Sequence, residues 1–363
     1  MKIAFYAPLK SPDHPVPSGD RLMAQLLISA LQAAGHAVEI ASTLRTFMRE
    51  PPSDALPALR QQAEAERKRI GAAWQQGGTP DVWITYHPYY KAPDLIGPAL
   101  GNSFDIPYVT VETSYSARRN LGAWAEAQAM VLQSLKMARV NICLTTRDQQ
   151  GLAEAAPAAR TAFLPPFLDS SIFLAQSPRP QPGRLVTMAM MRPGNKMDSL
   201  AMLAKALKLI DNEDWSLSII GDGSCRKQAE DMFAGFEPDR IIWHGQQSRQ
   251  NIATLLSESA IHVWPGCTEA YGLSYLETQA AGLPVVAQNT HGVPEVVIAD
   301  RTGLLTPVDD VPAYANAIRI MLSNPEMRER MGAEARRFVS EERSIARAAQ
   351  RLDEILHEHV GTR

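Results

Sequence analysis

The chain has 363 residues, of which 45% are hydrophobic and 21% are charged, and its formal net charge is -3. This length exceeds what one ordinary hydrophobic core supports, so we expect two domains of roughly 150–200 residues each. The nearly balanced charge argues against a protein built to coat nucleic acid, and we expect no nucleic-acid partner.

The cysteines and the first residues bear on the compartment. Cys143, Cys225 and Cys267 lie far apart and have no CxxC spacing, which argues against a disulfide framework or a zinc site and favours a reducing compartment. Pro8 and Pro12 interrupt the first apolar residues, so we expect no signal peptide, and no run of about 18 apolar residues predicts a membrane span. We therefore expect a cytoplasmic protein, with peripheral contact at the cytoplasmic membrane face as an open alternative.

The first half of the chain alternates strand and helix patterns. The apolar run "KIAFYAP" predicts a buried strand, and a periodic helix follows the loop "LKSPDHPVPSGD" and stops at Gly35 before the strand "AVEIA". A polar helix comes next, and the later strands and helix are "DVWITYHP", "PYVTVETS", "AWAEAQAMVLQSLKMA" and "VNICLTT". Such alternation is typical of a parallel sheet.

Residues 163–183 are rich in Pro and Ser and have little periodicity, which predicts a domain linker. The alternation then resumes through "LVTMAMM", "SLAMLAKALKLI", "WSLSIIG", "RIIWHG", "NIATLLSES", "IHVWPG", "LPVVAQN" and "GLLTP", and we expect two final helices after it. The pattern predicts two doubly wound α/β domains, with any ligand at the carboxyl ends of the strands.

Two carboxylates flank a glycine in "CTEAYGLSYLETQAAGLPVVA", residues 267–287. Glu269 follows a predicted strand, Gly272 allows close backbone approach, and Glu277 lies about one turn inside the next helix. The start of a helix offers free N–H groups to a phosphate, whereas the carboxylates suit sugar hydroxyls. The arrangement favours a nucleotide sugar over a bare phosphate.

A structural interpretation of the same residues stays open. Ser274 followed by Glu277 matches a capping box, which would by itself account for Glu277. Glu269 would then be an ordinary loop acid.

The pattern E-x7-E in "EAYGLSYLE", followed in order by "AAGLPVVA", "GVPEVV", "TGLLTP" and "MGAEARRFV", resembles the retaining glycosyltransferases of family 4, the glycosyl transferases group 1. The resemblance covers most of residues 184–340 and is looser in the first half. It implies a GT-B fold, an α/β fold of two Rossmann-like doubly wound domains that face a cleft. Residues 1–168 would form the acceptor side and residues 169–345 the nucleotide-sugar side. A helix at about 346–363 would pack back on the first domain, with an oligomerisation helix as the alternative.

The resemblance also implies roles for residues of the second half. Glu269 would contact hydroxyls of the donor sugar, and Glu277 would bind the ribose. The backbone amides of Gly272, Leu273 and Ser274 would face the sugar and the diphosphate.

A basic pair and two glycine turns complete the implied donor site. Arg192 and Lys196 in "MMRPGNK" would neutralise the diphosphate, since negative charge builds on the departing phosphate; two surface cations are the alternative. Gly221 and Gly223 in "IIGDGSC" would shape a turn beside the nucleotide, and "GxGxxG" is incomplete because Arg226 replaces its third glycine. Gly19 in "PSGD" stands where the family has a paired-glycine loop, with a plain turn as the alternative.

The first half departs from the family at one position. The family often has a histidine at the end of the fourth strand, where this chain has Glu112 and Thr113. His87, within the tyrosine-rich "YHPYYK", is a candidate acceptor or sugar contact, with a packed loop histidine as the alternative. Arg118 is a candidate contact to a phosphorylated or lipid-linked acceptor, and a solvated arginine is the alternative.

The resemblance implies retaining transfer from a nucleoside-diphosphate sugar, in which the donor phosphate helps to take the acceptor proton. We expect a hydroxyl acceptor, no metal and no other cofactor, because no Asp-x-Asp pair occurs. Three alternatives stay open: a nucleotide-sugar epimerase of the same architecture, a nicotinamide-dependent oxidoreductase, and a non-catalytic carbohydrate- or nucleotide-binding protein. The sugar, the base, the acceptor and the oligomeric state are not determined by the sequence.

Overall fold

The computed structural model describes residues 1–51 and 55–361. The chain divides into an amino-terminal unit, Met1–Pro165 with Ile345–Arg363, and a carboxyl-terminal unit, Pro166–Ser344. Each unit contains one six-stranded parallel sheet with flanking helices. The predicted fold class, two Rossmann-like α/β domains, is therefore confirmed.

The sheet of the amino-terminal unit has the order β2-β1-β3-β4-β5-β6. Its strands are β1 (Lys2–Tyr6), β2 (Ala37–Ser42), β3 (Val82–Tyr86), β4 (Tyr108–Val111), β5 (Val140–Cys143) and β6 (Thr161–Phe163). Its first helices are α1 (Gly19–Ala33), α2 (Ala55–Gly77), α3 (Gly97–Phe104), α4 (Ala125–Met137) and α5 (Thr146–Ala155). Strands β3, β4 and β5 are buried along their whole length, because helices cover both faces of a parallel sheet.

The sheet of the carboxyl-terminal unit has the order β12-β11-β10-β7-β8-β9. Its strands are β7 (Arg184–Met188), β8 (Ser216–Ile220), β9 (Ile241–Gly245), β10 (Ile261–Val263), β11 (Val285–Gln288) and β12 (Gly303–Thr306). Its helices are α6 (Ser171–Leu174), α7 (Asn195–Lys208), α8 (Arg226–Phe233), α9 (Arg249–Ser257), α10 (Leu273–Ala280), α11 (Val311–Ser323) and α12 (Pro325–Glu342).

Each sheet contains a switch point, which is a pair of neighbouring strands from which the chain continues in opposite directions across the sheet. In the carboxyl-terminal unit this point lies between β7 and β10, and in the amino-terminal unit between β1 and β3. The loops that leave the carboxyl ends of such strands diverge and open a crevice for ligands. The loops after β7 and β10, and those after β1 and β3, are therefore the places where a ligand site is expected in each unit.

Helix α13 (Ile345–His359) packs on α1 in the amino-terminal unit. Its buried side chains form one apolar stripe, composed of Ala348, Ala349, Leu352, Ile355 and Leu356. Two polar contacts also hold it: Arg351 donates to the Phe163 carbonyl at 3.2 Å, and Asp353 lies 3.3 Å from His36. The last two residues of the predicted terminal helix, 362 and 363, lie outside the described residues.

Several elements differ from expectation. The segment 163–183 is not wholly irregular, since it contains α6 and a bridge between Leu168 and Ser344. The prediction of two final helices is wrong: three follow β12, because Asn324 accepts a hydrogen bond from the Met327 N–H and caps a new helix that starts at Pro325. In residues 1–51 and 55–361, no helix has both the length and the apolar character to cross a membrane.

Candidate functional site

The loop between β10 and α10 is held tightly, and Gly272 makes this geometry available. Gly272 has φ 81° and is the N-cap of α10. A Cβ atom there would lie 2.8 Å from the Tyr275 ring and 3.0 Å from Cγ of Glu269. The Tyr275 ring is fixed in turn, because its hydroxyl donates to the Trp264 carbonyl at 2.9 Å. Both the left-handed backbone and the close contacts therefore require glycine.

The capping-box interpretation of Ser274 and Glu277 is wrong. Because Gly272 is the N-cap, no side chain caps α10, and Ser274 already lies within the helix. Among residues 1–51 and 55–361, no acceptor is found for the backbone N–H groups of Leu273 and Ser274. These donors point from the positive end of a helix dipole, which is a favourable environment for an anion.

Lys196 and Glu269 meet at the carboxyl edge of the sheet, where β7 adjoins β10. Lys196 is the second residue of α7, after β7, and its ammonium group lies 2.5 Å from Oε2 of Glu269, which follows β10. Trp264 supports both groups: its indole N–H donates to Glu269 at 3.4 Å, and the Lys196 ammonium lies 5.5 Å from its ring centre. The strand order thus brings together two residues that are 73 positions apart.

Arg192 is exposed in the loop between β7 and α7, four residues before Lys196, and no ion pair involves it in the described part of the chain. Its loop is fixed by Gly221 and Gly223, which follow β8. A Cβ atom at Gly221 would overlap the Ala189 carbonyl oxygen, and one at Gly223 would overlap the Met191 carbonyl oxygen. These glycines therefore allow the loop after β8 to lie against the loop that carries Arg192.

Glu277 lies in the second turn of α10 with 18% of its side chain exposed. Burial raises the pKa of this carboxyl to about 7, although the nearby charge of Arg249 acts in the opposite direction. Nη2 of Arg249 is 4.0 Å from Oε1 of Glu277. Arg249 was not among the predicted residues; an arginine at the start of the helix after "WHGQQS" was the only signal for it in the sequence.

In the amino-terminal unit, Gly19 is the first residue of α1, and Ser18 caps the helix by accepting from the Arg21 N–H at 3.2 Å. Gly19 is thus part of a helix start, not of an isolated turn. The next residue, Asp20, forms an ion pair with His87, which follows β3, at 2.9 Å. Asp20 was missed because an acid after "PSG" reads as an ordinary helix N-terminal residue.

His87 and Glu112 end neighbouring strands, and both have left-handed backbone with φ 55°. Burial lowers the pKa of His87, but the hydrogen bond to Asp20 and the charges of Glu112 and Asp20 raise it to about 9. Burial raises the pKa of Glu112 to about 7 against the opposing charge of His87. Non-glycine residues held in this conformation are often found at functional sites.

Thr113 and Arg118 have different environments. Thr113 is buried, and its hydroxyl has no hydrogen-bond partner within the described ranges. Arg118 is exposed on a single turn of 3-10 helix, Ala117–Arg119. The structure therefore brings together Asp20, His87 and Glu112, and it leaves Arg118 on the surface.

The family model described as Glycosyl transferases group 1 matches residues 181–338. Alpha-D-kanosaminyltransferase of Streptomyces kanamyceticus is 30% identical over 146 residues, which are 40% of this chain and 38% of that protein. D-inositol 3-phosphate glycosyltransferase of Streptomyces avermitilis is 36% identical over 99 residues, which are 27% of this chain and 21% of that protein. The chain thus spans less than two fifths of the length of these curated relatives.

Similarity of structure extends further along the chain. Sucrose-phosphate synthase from Thermosynechococcus elongatus superposes with a TM-score of 0.75 and 19% identity over 98% of both chains. The Anabaena protein HepE in complex with UDP superposes with a TM-score of 0.71 and 14% identity, over 99% of this chain and 100% of that chain. The chain therefore has the GT-B fold, and its residues 181–338 match the family model of the glycosyl transferases group 1.

Proposed function

We propose that the protein is a retaining glycosyltransferase of class EC 2.4, of the hexosyltransferase type. It would move a sugar from a nucleoside-diphosphate sugar to a hydroxyl group of a glycan, a glycolipid or a small molecule. The family match and the names of the curated relatives support sugar transfer. The retaining course and the membership of family 4 rest on the resemblance of residues 269–277 and the motifs after them.

One observation carries the proposal: donors for an anion and acceptors for hydroxyls lie on the loops and helix starts that follow β7 and β10, the strands at the switch point of the carboxyl-terminal sheet. The free N–H groups at the start of α10, with Lys196 and Arg192, suit a diphosphate. Glu269 and Glu277 suit hydroxyls of the sugar and the ribose. The structural neighbour HepE was solved in complex with UDP, which supports a nucleotide as a ligand of this fold.

The chemistry follows from these charges. The bond between the anomeric carbon and the diphosphate oxygen breaks, and the acceptor oxygen forms its bond on the same face. The acceptor proton passes to an oxygen of the departing diphosphate. Arg192 and Lys196 stabilise the charge that develops on this leaving group, and no metal ion is needed for that role in the proposal. When Lys196 turns to the phosphate, Glu269 is released to the sugar hydroxyls.

The acceptor side is proposed for the amino-terminal unit. His87, Glu112 and Thr113 offer polar groups at the carboxyl edge of its sheet, and either Glu112 or Thr113 would take the place of the family's histidine. Exposed Arg118 would meet a phosphorylated or lipid-linked acceptor at the membrane face. The three cysteines are free, which suits the reducing cytoplasm proposed as its compartment. Synthesis of a polysaccharide is the proposed context.

The test combines ligand binding with transfer. The melting temperature is measured with UDP-, GDP- and ADP-hexoses, and the stabilising donor is then assayed with candidate acceptors, with the anomeric configuration read by NMR. R192A and K196M should each lower kcat by about 100-fold or more, because leaving-group stabilisation is lost, with the fold retained by circular dichroism.

Matched controls are R319A and K205M, which remove equivalent charges from α11 and α7 away from the switch point, and both should keep wild-type turnover. Donor consumption in the absence of any acceptor would favour an epimerase. Failure of every nucleotide to raise the melting temperature would overturn the proposal.

A further inference from the structure

Arg249 occupies a position that local helix physics disfavours. It is the first residue of α9, directly after the N-cap Ser248, and the first turn of this helix contains no acidic residue. A cation at the positive end of a helix dipole is unfavourable. Contacts outside α9 must therefore account for this arginine.

Two contacts fix the guanidinium group. Its Nη2 atom donates to the Asp169 carbonyl at 3.2 Å, and its central carbon lies 5.5 Å from the Phe173 ring centre. The Asp169 carboxylate is engaged separately, since it accepts from the Ser171 hydroxyl at 2.7 Å. The Asp169 carbonyl and the Phe173 ring, which form the α6 segment (residues 169–174) together with α6, therefore hold Arg249, and in the described part of the chain no carboxylate accepts a hydrogen bond from it.

The charge of Arg249 faces Glu277 across 4.0 Å, which exceeds hydrogen-bond distance. Within the part of the chain that the structure describes, no hydrogen bond reaches the Glu277 carboxylate. Helices α6 and α10 contain no other charged residue, and Arg336 of α12 donates to the carbonyls of Ala280 and Leu174. Arg249 is thus the cation that acts on this carboxyl.

Glu269 provides the contrast within the same unit. Its carboxylate contacts Lys196 directly at 2.5 Å, so one of its oxygens is already engaged. The oxygens of Glu277 are not engaged in this way. A carboxylate that must accept two hydroxyl hydrogen bonds needs to be ionised and to keep its lone pairs available.

We propose that Arg249 is a positioning residue for the nucleotide: it holds a positive charge beside Glu277 at a distance that leaves both carboxylate oxygens available to the ribose hydroxyls. The inference rests on the proposed function, because it takes Glu277 as the ribose contact. It adds the first residue of α9 to the donor site.

The consequence is a specific pH dependence. Glu277 titrates near neutral pH, so about half of the molecules carry the charged form at pH 7. Loss of the positive charge of Arg249 at this distance should raise the pKa of Glu277 by about one unit. The ionised fraction at pH 7 would then fall to about a tenth, and nucleotide affinity would fall about fivefold. At pH 9 Glu277 would be mostly ionised both in the wild type and in a variant that lacks the Arg249 charge, so the difference in nucleotide affinity would nearly vanish.

The experiment measures the dissociation constants of UDP, GDP and ADP by calorimetry from pH 6 to pH 9. The full-length variants are R249Q, R249K, E277Q and R249Q/E277Q, each compared with wild type at the same pH, so that titration of the nucleotide itself cancels. R319Q is the matched control, because Arg319 is similarly exposed, 41% against 44%, and also pairs with a carboxylate.

In R249Q, the pH at which nucleotide affinity reaches half of its maximum should be about one unit higher than in the wild type. R249K and R319Q should bind like wild type. In the E277Q background, R249Q should have no further effect. Equal weakening by R249Q at every pH, or an undiminished effect in the E277Q background, would overturn the inference while leaving the proposed function intact. Absence of nucleotide binding to the wild-type protein would overturn both.

Discussion

Lys196–Glu269 and Arg249–Glu277 use opposite charges in two different ways at the residue scale. The first pair is in direct contact, and its members are proposed to separate when a diphosphate arrives. The second pair is held apart at 4.0 Å by contacts to the α6 segment. Coulomb attraction decays slowly with distance, whereas a hydrogen bond is lost beyond about 3.5 Å. A cation held at about 4 Å can therefore favour the ionised form of a carboxyl group without occupying the lone pairs of its oxygens.

His87 in the amino-terminal unit gives a prediction about stability. Its pKa is about 9 in the folded protein, above its ordinary value of 6.5, so the stabilisation is complete below about pH 6.5 and is lost as pH rises through 9. We expect the free energy of unfolding of the wild type to fall by about 2–3 kcal/mol more between pH 7 and pH 10 than that of H87N. Asparagine suits the left-handed backbone at this position.

Urea unfolding at pH 7 and pH 10 measures this difference. H357N is the control, since His357 is half-exposed on α13, and it should retain the full wild-type decrease. Equal decreases in H87N and wild type would show that His87 carries no buried charge in the folded protein.

At the scale of elements, the sequence predicts those that have a clear period and misses those that lack one. Strand β6 has three residues and α6 has four, which is too short for any pattern. Helix α5 buries only Leu152, so it shows no apolar stripe. Helix α3 contains Gly101, which reads as a loop residue but is needed there, because a Cβ atom would lie 3.1 Å from the Ile106 carbonyl oxygen.

The residues of the candidate site also divide into those that the sequence predicts and those that it misses. The acids, the glycine between them and the helix start were readable because they lie within nine consecutive residues. The Lys196–Glu269 and Asp20–His87 pairs join residues 73 and 67 positions apart. Only the strand order makes them neighbours, and single-sequence periodicity does not determine that order. The capping box predicted for Ser274 and Glu277 is wrong, because Gly272 occupies the N-cap position of α10.

Gly223 gives a prediction at this scale. Its φ is not in the left-handed region, so the effect of Gly223→Ala is steric alone: the new Cβ would press on the Met191 carbonyl beside Arg192. We expect a loss of about 1–3 kcal/mol in the free energy of unfolding and a clear weakening of nucleotide binding. Chemical denaturation and calorimetry with UDP, GDP and ADP measure the two effects.

Gly235→Ala is the matched control, because a Cβ atom there has no neighbour within 4 Å. It should change neither stability nor binding. A Gly223→Ala protein that binds nucleotide like wild type would show that the contact between the two loops does not position the donor site.

At the scale of the whole molecule, the two units differ in continuity. The carboxyl-terminal unit is one segment, Pro166–Ser344, and the family match lies within it. The amino-terminal unit needs α13, whose side chains Leu352, Ile355 and Leu356 are at most 1% exposed. Each such side chain contributes about 1.5–3 kcal/mol on burial. Their sum of about 5 kcal/mol or more is comparable to the stability of a typical domain.

Truncation after Ser344 should therefore unfold the amino-terminal unit or greatly lower its melting temperature, while the transition of the carboxyl-terminal unit still rises with the nucleotide that binds the full chain. Scanning calorimetry with and without that nucleotide separates the two transitions. Truncation after His359, which keeps all of α13, should leave both unchanged. If the shorter protein kept the amino-terminal transition at its original temperature, the apolar stripe of α13 would not be part of that unit's core. Loss of the nucleotide-dependent transition instead would mean that the carboxyl-terminal unit does not fold as an independent domain.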